Sequence, residues 1–200
     1  KTKQAVDSRI FFNNPNISDP KKLDENKIVH FVDLNNTNRP YIDWQKSTAH
    51  KYYWKLNHRA IPGELYFDPQ EINEAQNVIK EAILFWKSSN SKEHKGIIFV
   101  ESSRIEEKSS KHDKKIFNKC RENQNWGFRR WDQTVEILKK NYLIINASHK
   151  NSFSHQNTFS YNCNFRIACA IMKYCNLYLG PEGGFSHVAA ALSKPAVVIY

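Results

Sequence analysis

From Gly96 onward, apolar residues come in short continuous runs rather than singly. "GIIFVE" (Gly96–Glu101), "YLIIN" (Tyr142–Asn146), "NLYLG" (Asn176–Gly180) and the terminal "AVVIY" are four such runs. Between them, Trp131, Val135 and Leu138, and then Phe165, Ala168, Cys169 and Met172, recur at the spacing of one helix face. A further helix is predicted from about Ser186, ahead of the last run. Strands that are apolar throughout, alternating with amphipathic helices, predict a parallel sheet covered on both faces, as in half of a doubly wound α/β fold.

Upstream, "DPQE" reads as a helix start. Asp68 suits the N-cap, Pro69 the first helical position, and Glu71 completes a capping box. Ala75, Val78, Ile79, Ala82 and Trp86 then mark a buried face. The polar stretch Ser88–Lys95 reads as a linker, which puts the expected boundary between residues 1–92 and 93–200. Residues 1–66 are rich in Asn, Asp and Lys, and only "KIVHFVDL" (Lys27–Leu34) has the look of a strand.

Composition narrows the function classes. The chain has 200 residues, 40% of them hydrophobic and 13% aromatic, enough for a packed core. No run approaches the ~18 apolar residues that a membrane span needs, and the N-terminus has no signal-peptide h-region. A formal charge of +10 favours acidic partners, and much of it lies between Lys108 and Arg130. That run reads first as a solvated basic loop, and no nucleic-acid motif accompanies it, so no nucleic-acid partner is expected. Cys120, Cys163, Cys169 and Cys175 form no C-x-x-C pair and have no histidines at ligand spacing, which predicts reduced thiols of a cytoplasmic protein. Neither a metal site nor a D-x-D element is visible, and no cofactor or metal is expected.

Chemistry concentrates in "GPEGGFSH", between the third apolar run and the alanine-rich helix. In parallel sheets, ligands bind where strands end and helices begin. Gly183 and Gly184 would let the backbone approach a ligand, the helix N-terminus favours a phosphate, and Ser186 could cap the helix or donate a hydrogen bond. The same glycines are equally read as a tight strand-to-helix turn. The loop is neither G-x-G-x-x-G nor a P-loop, which disfavours nicotinamide enzymes and P-loop nucleotidases.

The segment "LYLGPEGGFSHVAAALSKPAVVIY" resembles the signature of the family 9 glycosyltransferases, which include the lipopolysaccharide heptosyltransferases. Glu182, Gly183, Gly184, His187, Ala189 to Ala191 and Pro195 occupy the motif's places. Upstream, "ENQNWGFRRWDQTVEIL" resembles the family's "N-K-x-W" element, so the resemblance covers roughly Gly96–Tyr200. It implies a GT-B-type α/β fold, with a Rossmann-like domain in 93–200 that binds a nucleotide-diphosphate sugar. Residues 1–92 would be part of an acceptor-side α/β domain. It further implies inverting, metal-independent sugar transfer to a saccharide or lipid-linked acceptor, in the cytoplasm or peripherally at the inner membrane face. The implied donor-binding residues are Glu182, Gly183, Gly184, Phe185, Ser186 and His187, with Gln124 and Arg129 from the tryptophan element.

Two departures stand out. Gln124 occupies the place of the family's lysine, which would offset diphosphate charge; Arg129 is the expected substitute. The glycine-rich loop with a catalytic aspartate, expected early in the N-terminal domain, is absent, so no base is assigned to Asp33 or Asp43. The start without methionine and the end within an apolar run lead to the expectation of a piece of a longer protein with a truncated donor domain. A non-catalytic nucleotide-sugar-binding module and a GT-B-like sugar-nucleotide epimerase are the alternative readings. The nucleotide-selecting contacts are expected from Asn146–Asn162, a polar loop in this reading, and Gly184→Val is expected to block phosphate approach.

Overall fold

The structure is a computed structural model, which describes residues 9–17, 26, 41–43, 45–48, 50–59, 61–101, 126–148 and 155–199. The expected strand Lys27–Leu34, residue Gln124, Cys120, Asp33 and most of the basic run Lys108–Arg130 lie outside them. Two compact units divide the chain: Lys1–Ala5 with Pro15–Pro62, and Val6–Asn14 with Gly63–Tyr200.

In the first unit, two antiparallel bridges lie between residues 42 and 54. Ile42 bridges to Trp54 and Thr48 to Lys51. The ring of Tyr41 stacks on Trp54 with centroids 5.5 Å apart. Lys51 Nζ sits 4.9 Å above the Tyr53 ring.

The second unit holds the sheet. Helix α1 spans Pro69–Ser89, β1 Ile97–Val100, α2 Phe128–Leu138, β2 Leu143–Ser148 and β3 Phe159–Asn162. Helix α3 follows over Phe165–Lys173, then β4 Leu177–Pro181, α4 Gly184–Ala191 and β5 Ala196–Ile199. All pairings are parallel, in the order β3-β2-β1-β4-β5. The α/β class and the Rossmann-like sheet flanked by helices are therefore as expected. The strand order reverses between β1 and β4, the switch point where such sheets take ligands.

Side-chain alternation sorts the core into two layers. Ile97, Phe99, Leu143, Ile145, Ala147 and Tyr178 face α1, α3 and α4, whereas Ile98, Val100, Ile144 and Leu179 face Trp131 and Val135 of α2. Helix α1 starts as the sequence requires. Asp68 accepts from the Glu71 N–H at 2.7 Å, and Glu71 returns the bond to the Asp68 N–H at 3.0 Å. Although α1 precedes the expected boundary at residue 92, it packs on α3, β2 and β3.

Three local features differ from the sequence reading. Strand β3 occupies part of the stretch read as a polar loop, because "FSYN" alternates half-buried and exposed residues at the sheet edge and lacks an apolar run. Helix α3 is buried from Arg166 through Met172 rather than on one face, because it lies between α1 and α4 over the sheet. Helix α4 begins at Gly184, two residues ahead of expectation, and of its three alanines only Ala189 is fully buried.

The N-terminal segment Arg9–Phe11, a 3-10 turn, is tied to the rest of the second unit through Arg166. Its guanidinium donates to both oxygens of Glu71, at 2.5 and 2.6 Å, to Tyr66 O at 2.6 Å, and to the carbonyls of Arg9 and Ile10 at 2.9 and 3.3 Å.

Candidate functional site

Strand β4 ends at Pro181 with its last residues still in the ladder: the Glu182 N–H bonds Ile199 O at 3.1 Å. The backbone then turns at Gly183 and enters α4. Gly183 has φ 160° and ψ −162°, extended backbone that other residues also adopt, and no left-handed residue is used in this turn. Gly184 is the first helical residue; a Cβ there would meet the Phe165 ring at 3.4 Å, an ordinary contact. That Cβ direction leads toward Phe165.

Ser186 makes half of a capping box. Its hydroxyl accepts from the Gly183 N–H at 3.2 Å and donates to Gly183 O at 2.8 Å. The glycine has no side chain to return the bond, so the N–H groups of Gly184, Phe185 and Ser186 have no protein acceptor among the described residues. They are the donors that an anion at this helix start would meet. The ring of Phe185 is buried, 5.2 Å from Phe99 and 4.8 Å from Phe165 between centroids, so Phe185 can meet a ligand through its backbone and not its ring. Its ring anchors the loop to the sheet instead.

Glu182 and His187 flank the turn and face each other, Oε1 to Nε2 at 3.6 Å, with side chains 39% and 80% exposed. His187 is largely exposed and Glu182 partly so, and their separation is too long for a good hydrogen bond. Arg129 is exposed in the first turn of α2. Residue 124 being outside the described residues, the tryptophan element is represented by Trp126, which packs edge-on against Trp131 at 5.1 Å.

Sequence reading passed over a second group at the same end of the sheet. Glu101 directly follows β1, is half-buried, and bonds Leu179 O through its N–H at 2.9 Å. Its Oε2 lies 2.8 Å from the hydroxyl of Tyr178, a residue with no exposed surface, and that hydroxyl is also 2.9 Å from Pro181 O. The arrangement depends on Gly180. Tyr178 and Gly180 lie on the same face of β4, and a Cβ at position 180 would come within 2.5 Å of Tyr178 Cζ. The available sequence signal was an acid ending an apolar strand.

A third polar group lies along β2 and β3. Asn146 Nδ2 donates to Thr158 Oγ1 at 3.0 Å, and that hydroxyl donates to His155 O at 2.7 Å. The buried His155 ring meets Asp132 of α2 at 3.3 Å. Asn146 Oδ1 and the Trp131 indole N–H are buried on the α2 side without partners among the described residues. This chain runs through the segment expected to select the nucleotide, of which residues 149–154 lie outside the description.

Among the described residues, no cluster of three or more His, Cys, Asp or Glu side chains is placed to hold a metal ion, and no helix is long and apolar enough to cross a membrane. The chain matches no family model, no curated protein and no solved structure.

Proposed function

We propose that residues 93–200 bind the diphosphate of a nucleotide-diphosphate sugar at the start of α4, as part of a family 9-like glycosyltransferase of GT-B type. One observation carries this reading. The loop Gly180–His187 leaves a parallel strand beside the switch point and enters a helix whose first three N–H groups have no protein acceptor among the described residues. Negative charge is favoured there by the free donors and the helix dipole together. The loop is also the segment that resembles the family signature.

In this reading Glu182 and His187 meet the donor sugar and its phosphates, and Arg129 supplies charge that Gln124 does not. The acceptor hydroxyl attacks the anomeric carbon, and the new C–O bond forms as the bond to the diphosphate breaks. The nucleotide diphosphate leaves with the electron pair, and the acceptor proton passes to a base that no residue here is assigned to supply. The acceptor is a saccharide or lipid-linked molecule met in the cytoplasm or at the inner membrane face, and the +10 charge favours an anionic one. The presence of Gln124 favours, as a second reading, a nucleotide-sugar-binding module without catalysis.

Thermal melts of the chain with millimolar UDP, GDP and ADP, and with the corresponding sugars, test the proposal. One nucleotide at about a hundredfold over its Kd should raise Tm by roughly 5–10 °C. No shift with any of them, in a folded protein, removes the proposal. Binding without sugar transfer to any glycan acceptor by the protein would favour the second reading.

A further inference from the structure

We propose that the first unit docks on the surface of an anionic lipid bilayer through the turn at residues 55–58 and the rings beside it. Ile42 is buried and bridges to Trp54; the Asp43 N–H bonds Tyr53 O at 2.8 Å and the Lys55 N–H bonds Tyr41 O at 2.9 Å. These bonds hold Tyr41 against Trp54, ring on ring at 5.5 Å. The chain then reverses. The His58 N–H closes a turn on Lys55 O at 2.9 Å, and the His58 ring comes to 6.2 Å from Tyr41. Leu56 stands at the corner of that turn with 91% of its surface exposed, two residues past Trp54 at 61%.

Apolar residues exposed one at a time are ordinary on any protein surface, whereas several gathered at one place mark an interaction site. Here Tyr41, Trp54 and Leu56 are gathered at one turn, and Ile61, three residues past it, is 93% exposed. The same stretch is basic. Residues 41–61 carry Lys46, Lys51, Lys55 and Arg59 against a single acid, Asp43, which lies 3.6 Å from Lys46. Lys51, Lys55 and Arg59 are exposed, and Lys51 Nζ lies 4.9 Å over the Tyr53 ring.

An anionic bilayer matches both the apolar and the charged parts of this surface. Its headgroup region takes Trp and Tyr rings, and its acyl boundary takes a projecting aliphatic side chain. Its phosphates attract Lys and Arg heads whose stems lie along apolar surface. A single-stranded nucleic acid matches less well, because bases stack on open ring faces. Tyr41 and Trp54 each cover one face of the other, and Lys51 covers one face of Tyr53. The most exposed side chains, Leu56 and Ile61, are aliphatic and offer a base no ring at all. Docking by this surface is independent of the nucleotide-sugar site, which lies in the other unit.

The test is co-sedimentation of the full chain with vesicles of phosphatidylcholine alone and of phosphatidylcholine with about 30% phosphatidylglycerol, in about 0.1 M salt. The wild type is expected to bind the anionic vesicles about tenfold or more tightly than the neutral ones. Leu56→Asn should weaken that binding about fivefold or more, whereas Leu56→Trp, which keeps an interfacial anchor, should stay within about twofold of wild type. Lys51→Gln/Lys55→Gln should weaken it about tenfold, and this loss should shrink as salt rises. All three side chains are exposed, so the far-UV circular dichroism and urea midpoints of the variants should match the wild type. Absence of binding to anionic vesicles overturns the inference. So does binding that Leu56→Asn leaves unchanged, which would assign the attraction to other basic segments. If Leu56→Asn abolishes binding of a single-stranded oligonucleotide and spares the vesicles, the surface belongs to nucleic acid and the inference falls. None of these outcomes alters the nucleotide-induced Tm shifts, so docking and nucleotide-sugar binding fail separately.

Discussion

Replacing Arg166 by methionine should be among the most damaging single changes in the second unit. The guanidinium and the Glu71 carboxylate are 8% and 13% exposed, and the bond pair between them is bidentate. The hydrogen bonds to Glu71 also raise the Arg166 pKa, so the charge persists at every accessible pH. Methionine preserves much of the volume but leaves Glu71 a buried, partly uncompensated charge and strips donors from Arg9, Ile10 and Tyr66. Breaking a buried pair from one side costs about 3–5 kcal/mol. For a chain of this size that is roughly 6–20 °C in Tm. Glu71 keeps its bond to the Asp68 N–H, so α1 should remain capped in this variant. The double variant Arg166→Met/Glu71→Leu removes both charges and should lose much less, about 0–2 kcal/mol, most of it from the broken capping box. Urea unfolding followed by circular dichroism measures the wild type, both single variants and the double variant, and limited proteolysis near Arg9 reports release of the N-terminal segment. A loss below about 1 kcal/mol in the single variant would refute the reasoning, as would a double variant as unstable as the sum of its singles.

Gly180→Ala should destabilise by about 1–3 kcal/mol because the Tyr178 ring must leave its place; combining it with Tyr178→Leu should cost less than the two separate losses added, and strict additivity in urea unfolding would contradict the contact. Gly184→Ala should change stability by less than about 1 kcal/mol, since its Cβ meets Phe165 at ordinary distance; a large loss in the same assay would refute that geometry. Burial pushes the thiols of Cys163, Cys169 and Cys175 up to about 12, against 9.0 for the free group. Folded-state pKa values above the unfolded ones stabilise fully below pH 9 and are lost as pH rises toward 12. The urea midpoint should therefore fall above pH 9, and the fall should flatten when the three cysteines are replaced by alanine; an unchanged slope would refute the attribution.

The elements that could be read from the chain are those in which one local rule decides the outcome. Asp68, Pro69 and Glu71 start α1 by capping alone, and continuous apolar runs of four or five residues have few uses other than strands buried on both faces. Strand β3 was illegible because edge strands are specified by pairing with β2, which is non-local, and its own residues alternate too weakly to announce it. The candidate loop shows the same division. Its position between strand and helix, and its anion-favouring helix start, were legible in "GPEGGFSH" because both depend on neighbours in sequence.

Burial and partnership were decided by the tertiary structure. Phe185 and Glu182 are near neighbours in one loop, yet one ring is packed against Phe99 and Phe165 and the other side chain is open. Residue type favours that split, but the rings that receive Phe185 are set by packing alone. Gly180 closes the run "NLYLG" with no role of its own in the sequence, and only the strand face it shares with Tyr178 shows that its missing Cβ makes room for a ring. Glu101 and Tyr178 meet across 77 positions, and Arg166 reaches Glu71 across 95 and Arg9 across 157. Such contacts are created by the order in which parallel strands are laid side by side. Periodicity in the sequence determines which face of each element turns inward; the packing of one element on another determines which polar groups on those faces find each other.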